Sequence, residues 1–265
     1  MIGELSQKEH RWLLEKVGYI SASSLGDLLT GGRKGNAWGE TAITYLYKLQ
    51  RERTRGIPSP QISAKPMSFG NENEPYAIEW LRWNVNRDIK NCSEDFDDKL
   101  FKKHETVMFG ASPDAILGTP GNVSELFETK CVYGAKETNW MFSPTVPHDE
   151  KVAAVLKEHR PQLAGLLLAY PECNYISLLK YDAQRDDNPF DTLSPMDPSR
   201  GLLFDFTRED FGAYLEEVWM RILMADEFLR KGYNPDNINE YSGEIYTGEE
   251  GLIPGKYYDV TFENE

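Results

Sequence analysis

Long apolar runs and paired cysteines are both missing from this sequence of 265 residues. No stretch approaches the roughly 20 apolar residues that a membrane-spanning helix needs, so no association with a membrane is expected. Residues 1–5 have the character of neither a signal peptide nor a transit sequence, which favours a cytoplasmic location. The three cysteines, Cys92, Cys131 and Cys173, form no CxxC pair, and this spacing favours reduced thiols over disulfides or a zinc site.

Positive charge is also scarce, with 29 lysines and arginines against 43 acidic residues and a formal net charge of −14. This balance argues against a protein that coats nucleic acid, because phosphate binding normally needs a basic surface. A bound divalent metal and a few well-placed basic side chains can still supply positive charge locally. The composition therefore does not exclude an enzyme that acts on nucleic acid.

Helix-like and strand-like segments alternate along the chain, which predicts a mixed α/β domain with a small central sheet. Apolar spacing predicts a short serine-capped helix before Gly31 and longer helices over 5–16, 37–53, 72–86, 149–158 and 161–170. A proline-rich loop is predicted over 54–66. Strands are predicted over 105–110, 123–132, 174–182 and 202–206.

A sequence typical of a capping box begins the last predicted helix, with Thr207 three residues before Asp210. Gly232 lies just past the end of the apolar stripe of this helix. We therefore assign residues 1–232 to one domain. Residues 233–265 are acidic and aperiodic, and are predicted to be a C-terminal extension that packs across the domain or binds a partner.

Two short motifs, Pro113-Asp114 and Glu128-Thr129-Lys130, carry the chemistry that this sequence offers. Side chains two positions apart on a strand share a face, so Glu128 and Lys130 point the same way while Thr129 points the opposite way. A carboxylate and an amine are thereby placed side by side.

Hydrolysis of a phosphodiester needs one or two divalent metals, held by carboxylates, that activate water and neutralise the leaving oxygen. If 105–110 and 123–132 pair as a hairpin, Asp114 reaches the same metal as Glu128. The backbone carbonyl of Thr129 is then available as a further hard oxygen ligand.

Lys130 would stand beside this metal, where a neighbouring cation and partial burial both favour the neutral amine. It would then orient or deprotonate the attacking water. On residue types alone, both motifs can be purely structural, the first as an ordinary Pro-Asp turn and the second as a solvent-exposed face of a strand. The surrounding sequence decides between these interpretations.

Over residues 11–231 the chain resembles the bacteriophage lambda-type alkaline exonucleases, also described as YqaJ-like viral recombinases, of the PD-(D/E)XK nuclease superfamily. The resemblance consists of five motifs in the family's order and a glutamine, namely Tyr19-Ile20-Ser21-Ala22-Ser23, Ala64-Lys65, Phe69-Gly70 with Glu74 and Ala77, Ala111-Ser112-Pro113-Asp114, Glu128-Thr129-Lys130-Cys131, and Gln162. Five ordered segments are far more specific than a single acidic motif.

The resemblance implies a restriction-endonuclease-like α/β core, with a small mixed sheet flanked by helices. It implies that Asp114, Glu128 and the Thr129 carbonyl bind Mg²⁺, for which Mn²⁺ substitutes. Glu74 would face the same centre and bind a second metal directly or through water, with Gln162 close by. Without the family, Glu74 is as readily an inert residue near a helix start.

The family also holds the 5′-terminal phosphate of its substrate with a basic residue and serines, which the resemblance places at Lys16, Ser23 and Ser112. The alternative for Ser23 is a plain helix cap. Lys16 replaces the arginine that is usual in the family, so a bidentate grip on phosphate is lost. Ala115 and Val132 replace a glycine and a proline of the family pattern, and both look tolerable.

The function implied is 5′→3′ digestion of one strand of linear double-stranded DNA, leaving 3′ overhangs for recombination with a single-strand annealing protein. A ring-shaped homotrimer is implied as well, in the host cytoplasm if the protein is phage-encoded. Two other functions stay open. One is an endonuclease or single-strand-specific nuclease of the same superfamily, and the other is a non-catalytic acidic binding protein on a nuclease-like fold.

Overall fold

The computed structural model describes residues 6–33, 36–60, 65–183 and 191–241. Within these ranges the chain forms a five-stranded sheet, a separate three-stranded sheet, and helices that pack on both faces of the larger sheet. This arrangement confirms the predicted small mixed sheet flanked by helices. No helix in the described ranges is both long enough and apolar enough to cross a membrane.

The helices of the described residues are α1 (Gln7–Glu15), α2 (Leu25–Leu28), α3 (Glu40–Arg55), α4 (Lys65–Asn84), α5 (Ala135–Met141), α6 (His148–Ala169), α7 (Arg208–Phe211) and α8 (Ala213–Arg230). The strands are β1 (Ile20–Ser21), β2 (Lys90–Asn91), β3 (Lys102–Lys103), β4 (Phe109–Ala111), β5 (Ala115–Thr119), β6 (Asn122–Cys131), β7 (Tyr175–Tyr181) and β8 (Gly201–Thr207). Short 3-10 turns precede α2, precede β8 and follow α8.

The larger sheet has the strand order β2-β5-β6-β7-β8, and the smaller has the order β1-β4-β3. In the larger sheet β6 and β7 are parallel and the other pairs are antiparallel. Strand β6 lies at the centre, where Glu128 pairs with Leu178 and Lys130 with Lys180. Strand β5 pairs with the first part of β6, up to Phe127, so Glu128 and Lys130 have a neighbouring strand only on the β7 side.

The predicted hairpin between 105–110 and 123–132 is wrong. Only Phe109 and Gly110 of the first segment are in a strand, as part of β4 in the smaller sheet. The antiparallel partner of β6 is β5, which the sequence pattern did not reveal. Close approach within the smaller sheet depends on Gly110, because a Cβ there would lie 2.5 Å from the Phe101 ring. Asp114 consequently stands at the entry to β5 instead of at a hairpin turn, with its amide donating to the Phe127 carbonyl at 3.1 Å.

Several helix boundaries differ from the prediction. The two helices predicted over 149–158 and 161–170 are one continuous helix, α6, with Pro161 inside it. Helix α4 begins at Lys65, so Pro75 lies in the helix interior and not in the first turn. A proline in a helix interior costs about 3 kcal/mol, and apolar packing against the sheet offsets that cost in both helices.

The last long helix is interrupted at Gly212, whose φ of +41° separates α7 from α8. The capping box of Thr207 and Asp210 at its start is confirmed. Gly232 follows the end of α8 with a φ of +67°, as expected for a helix stop. The predicted helix before Gly31 is only the four-residue α2, and the predicted serine cap is wrong, because no serine side chain caps α2 or the 3-10 turn before it. Helix α5 was missed.

The core lies on both sides of the larger sheet. Alternate residues of β6 face opposite ways, so Phe127 packs against α4 while Leu126 packs on the α6 side. Beyond α8, a 3-10 turn over Pro235–Glu240 buries Ile238. Of the predicted C-terminal extension, residues 242–265 lie outside the described residues, as does Ala64 of the family motifs.

Candidate functional site

Asp114 and Thr129 are joined by two hydrogen bonds at the junction of β5 and β6. The Thr129 backbone amide donates to Asp114 Oδ2 at 2.7 Å, and the Thr129 hydroxyl donates to the same oxygen at 2.9 Å. The strand alternation predicted that Thr129 points away from Glu128, but it did not predict this hydroxyl contact. Asp114 is thus fixed against β6 through one carboxylate oxygen.

Glu128 is buried at the centre of β6, with 2% of its surface exposed. Its Oε1 accepts hydrogen bonds from Lys130 Nζ at 2.7 Å and from Gln162 Nε2 at 2.6 Å. The other oxygen, Oε2, is buried and has no hydrogen-bond partner. Burial, followed by repulsion from Asp114, raises the pKa of Glu128 to about 7.

Lys130 lies beside Glu128 on the same face of the strand, as predicted. Burial alone disfavours its charged form, but attraction to Glu128 and then Asp114 outweighs that effect and raises the pKa of Lys130. The sequence predicted that Lys130 would favour its neutral amine. The carboxylates instead favour the charged ammonium form of Lys130.

Glu74 faces the same centre from α4. Burial, followed by the negative charge of Asp114, raises the pKa of Glu74 to about 8, and Glu128 adds to this effect. The structure thus brings together Glu74, Asp114, Glu128 and Lys130, with Gln162 bound to Glu128. The negative charges of these carboxylates act on one another, which is unfavourable unless protons or a cation neutralise them.

These residues fit a divalent metal. An orphaned carboxylate oxygen buried among other acids is a hard donor without a partner, which is what Mg²⁺ and Mn²⁺ prefer. No three acidic, histidine or cysteine side chains of the described residues stand together as a ready metal cage. The candidate ligand set is accordingly two carboxylates, those of Asp114 and Glu128, with the Thr129 carbonyl and with Glu74 in support.

Two of the predicted phosphate-binding residues, Lys16 and Ser112, contact the indole of Trp12 in α1. Lys16 places its ammonium 3.9 Å from the Trp12 ring centroid. The Trp12 Nε1 group donates to Ser112 Oγ at 2.9 Å, and Ser112 in turn donates to the Leu100 carbonyl at 2.6 Å. Trp12 therefore connects Lys16 to Ser112.

Ser23 lies in the 3-10 turn after β1, exposed, with its hydroxyl 3.2 Å from that of Ser21. Strand β1 runs parallel to β4, which leads directly into Ser112, so the smaller sheet brings the Ser23 turn toward the Ser112 segment. Helix α6 packs against this turn, because Gly165 has no side chain and lets Ala22 and Leu25 approach the α6 backbone closely.

Two residues near this pocket were not found from the sequence, Trp12 and Lys99. Lys99 lies between β2 and β3 and holds its ammonium 4.4 Å from the Trp12 ring centroid. No motif marks a single lysine in an irregular segment. The only signal for Trp12 was its apolar position in α1.

The fold resembles those of two solved nucleases. An alkaline exonuclease (LHK-Exo) from Laribacter hongkongensis matches with a TM-score of 0.59 at 19% identity, over 87% of this chain and 96% of that chain. A phage-related exonuclease from Haemophilus somnus 129PT matches with a TM-score of 0.57 at 14% identity, over 80% and 94% of the two chains. The fold is therefore of the restriction-endonuclease-like α/β class.

The family follows from the sequence match. Residues 11–163 match the YqaJ-like viral recombinase domain, which is more than half of the chain. The chain belongs to this family, and the resemblance inferred from the motifs is confirmed. No curated protein shows a significant match to the chain.

Proposed function

We propose that the protein is a metal-dependent exonuclease that digests one strand of linear double-stranded DNA in the 5′→3′ direction. The proposal includes 3′ overhangs as products, for use in recombination by strand annealing. Family membership and the likeness to two exonuclease structures support it. The observation that carries it is the buried Glu128, with one oxygen unpaired, between Asp114 and Lys130.

Asp114, Glu128 and the Thr129 carbonyl would hold Mg²⁺ or Mn²⁺, with Glu74 binding a second ion directly or through water. When bound, such an ion supplies Lewis acidity and lowers the pKa of a coordinated water. The described contacts already orient the ligands. Thr129 fixes Asp114 through two hydrogen bonds, and Gln162 fixes Glu128 through one.

Lys130 is the residue we assign to the attacking water. As the ammonium it would orient this water, and it would deprotonate it only where a bound metal cation offsets the carboxylates that stabilise its proton. Its ammonium is 2.7 Å from Glu128 Oε1, so it lies within reach of any water near the carboxylates. Because Glu128 is buried and Lys130 is only partly exposed, the reacting atoms would be shielded from bulk solvent. Shielding strengthens each electrostatic contact in the site.

The 5′→3′ direction rests on Lys16 and Ser112 beside Trp12 and on Ser23 in the turn after β1, which would together bind the terminal phosphate. Ser112 is two residues from Asp114, a separation of about 7 Å at most along the chain. A strand end anchored there would place a nearby phosphodiester at the carboxylates. A homotrimeric ring and a single-strand annealing partner are further parts of the proposal.

The test is digestion of linear duplex DNA labelled at either the 5′ or the 3′ end, with and without Mg²⁺. We expect magnesium-stimulated release of nucleotides from the 5′ end and no action on covalently closed circles. The Asp114→Asn variant, which keeps the size of the side chain, is the matched inactive control.

Other outcomes identify the competing functions. Cutting of closed circles would show an endonuclease, and digestion of single strands alone would show a single-strand-specific enzyme. If magnesium stimulates no release in any format, the protein is an acidic binding protein on a nuclease-like fold.

A further inference from the structure

Two ammonium groups share one indole ring at the edge of the proposed phosphate pocket. Lys16 lies 3.9 Å and Lys99 lies 4.4 Å from the centroid of Trp12. Like charges held this close repel each other, and an aromatic face offsets only part of that repulsion. The arrangement is therefore one that an anion would stabilise.

Neither Lys16 nor Lys99 forms an ion pair with a carboxylate within the described part of the chain. Glu52 is the acid that acts on Lys16, but both of its oxygens accept hydrogen bonds from backbone amides, those of Gly18 at 3.1 Å and Ser59 at 2.9 Å. The two ammonium groups thus keep their capacity for a ligand.

The position of Lys99 is fixed by contacts between its loop and α1. Arg11 forms an ion pair with Asp98 at 2.7 Å, and Lys8 donates to the Phe96 carbonyl. These contacts flank Lys99 on its N-terminal side. On the other side, Ser112 donates to the carbonyl of Leu100. The segment that carries Lys99 is therefore joined to α1 on one side and to Ser112 on the other.

Electrostatics agrees with this geometry. The pKa of Lys16 is lowered to about 8 by burial first and by Lys99 second, with Lys48 adding to the effect. The same Lys99 counteracts the rise in the pKa of Glu74. The charge of this one lysine thus acts on both Lys16 and Glu74.

We infer that Lys99 is a second cation of the 5′-phosphate site and that Lys16 and Lys99 together replace the single arginine usual in the family. The inference rests on the proposed function. A guanidinium grips phosphate with two parallel donors, whereas one ammonium acts as a point charge. Two ammonium groups on one indole restore a two-point contact. Lys99 is therefore a residue that determines specificity for phosphorylated ends.

The test is binding of a linear duplex carrying a 5′-phosphate or a 5′-hydroxyl, measured by fluorescence anisotropy in EDTA so that no cleavage occurs. Lys99→Gln is expected to lower the preference for the phosphorylated end about tenfold, the loss typical of one charge-assisted hydrogen bond. Lys16→Gln should have a similar effect. Lys99→Arg should retain the preference, and Lys157→Gln, which removes an exposed lysine of α6, should leave it unchanged.

Two results would overturn the inference. One is an unaltered preference in Lys99→Gln while Lys16→Gln loses it. The other is an equal loss of affinity for both ends, which would make Lys99 a general contact to the DNA backbone. Thermal unfolding of each variant shows whether the fold is intact, and Lys99→Arg preserves the charge if Lys99→Gln unfolds.

The proposed function can fail separately. If the unaltered protein prefers phosphorylated ends in EDTA but magnesium stimulates no digestion, the catalytic proposal fails and the role of Lys99 stands. If the unaltered protein binds both ends equally, it has no 5′-phosphate site, and the inference about Lys99 is wrong.

Discussion

At the scale of single residues, the candidate site is held together by hydrogen bonds from neighbouring side chains to its two carboxylates. Gln162 and Lys130 occupy one oxygen of Glu128, while Thr129 occupies one oxygen of Asp114. One oxygen of Glu128 is left buried without a partner. A buried unpaired carboxylate oxygen costs free energy in folding, so its presence is better explained by a ligand than by stability.

Replacing Lys130 with alanine should separate chemistry from metal binding. Lys130 is bound to Glu128 but carries a positive charge, so it is not a metal ligand. We expect the rate of digestion to fall by about 10²–10⁴-fold, the usual contribution of an acid–base group, while Mn²⁺ affinity measured by calorimetry changes little. Lys157→Ala is the control. Normal turnover in Lys130→Ala would remove this residue from the mechanism.

The preference for phosphorylated ends should depend on pH through Lys16. Its pKa of about 8 means that the ammonium is present below that pH and lost above it. A terminal phosphate has its second pKa near 6, so its charge stays constant over this range. The preference should therefore fall by up to about tenfold per pH unit above about pH 8.

Lys16→Arg is the matched variant for this test, because a guanidinium stays charged to about pH 12 and above. Its preference should persist at alkaline pH, when binding to the two duplexes is compared across the same range.

The contribution of Lys16 to the free energy of unfolding changes in the opposite direction with pH. Between about pH 8 and the ordinary value of 10.5 the unfolded chain binds more protons at Lys16, so this group's contribution to stability improves as pH rises. Parallel pH profiles in the two proteins would show that another group titrates.

At the scale of elements, the strand that carries Glu128 and Lys130 was predictable, and its surroundings were not. Alternation along β6 predicted which side chains share a face, and the contacts of Lys130 and Thr129 agree. Strand β5 was missed because it has only five residues and ends in Gly118 and Thr119, which precede Pro120-Gly121 and are typical of a turn. The position of Lys99 depends on contacts with α1, about 90 residues earlier in the chain, which no local pattern encodes.

The contact between α6 and the Ser23 turn provides a test at this scale. A Cβ on Gly165 would lie 2.5 Å from Leu25 Cδ1 and 2.9 Å from Ala22 Cα, so the backbone of the turn must move. Gly165→Ala should lower stability by about 1–3 kcal/mol, as overpacking does. It should also reduce the preference for a 5′-phosphate, because Ser23 shifts with the turn.

Gly26→Ala is the matched control, since nothing lies within 4 Å of its added Cβ. Alanine in place of a helical glycine stabilises by about 0.5–1 kcal/mol, so this variant should unfold at a slightly higher temperature and bind both ends normally. Thermal unfolding and the end-preference assay measure both effects. A Gly165→Ala protein as stable as the unaltered one would show that α6 and the turn are not closely packed.

At the scale of the whole molecule, assembly bears on how an acidic protein stays on DNA. A closed ring holds its substrate by topology, so it does not require a basic surface. We expect light scattering at micromolar concentration to give three times the 30.3 kDa mass of one chain. A monomer at that concentration would contradict the ring, and the end-binding pocket would then have to retain DNA alone.

The dependence of duplex binding on salt measures how many cations contact phosphate. Each phosphate neutralised adds about −0.9 to the slope of log affinity against log salt. With a net charge of −14, we expect contacts confined to the pocket and a shallow slope of about −2 to −3, equivalent to two or three phosphates. Lys99→Gln should make the slope less negative by about 1, and Lys157→Gln should not alter it. A steep slope near −10 would indicate an extended basic contact, and the local charges around Trp12 would then be too few to account for binding.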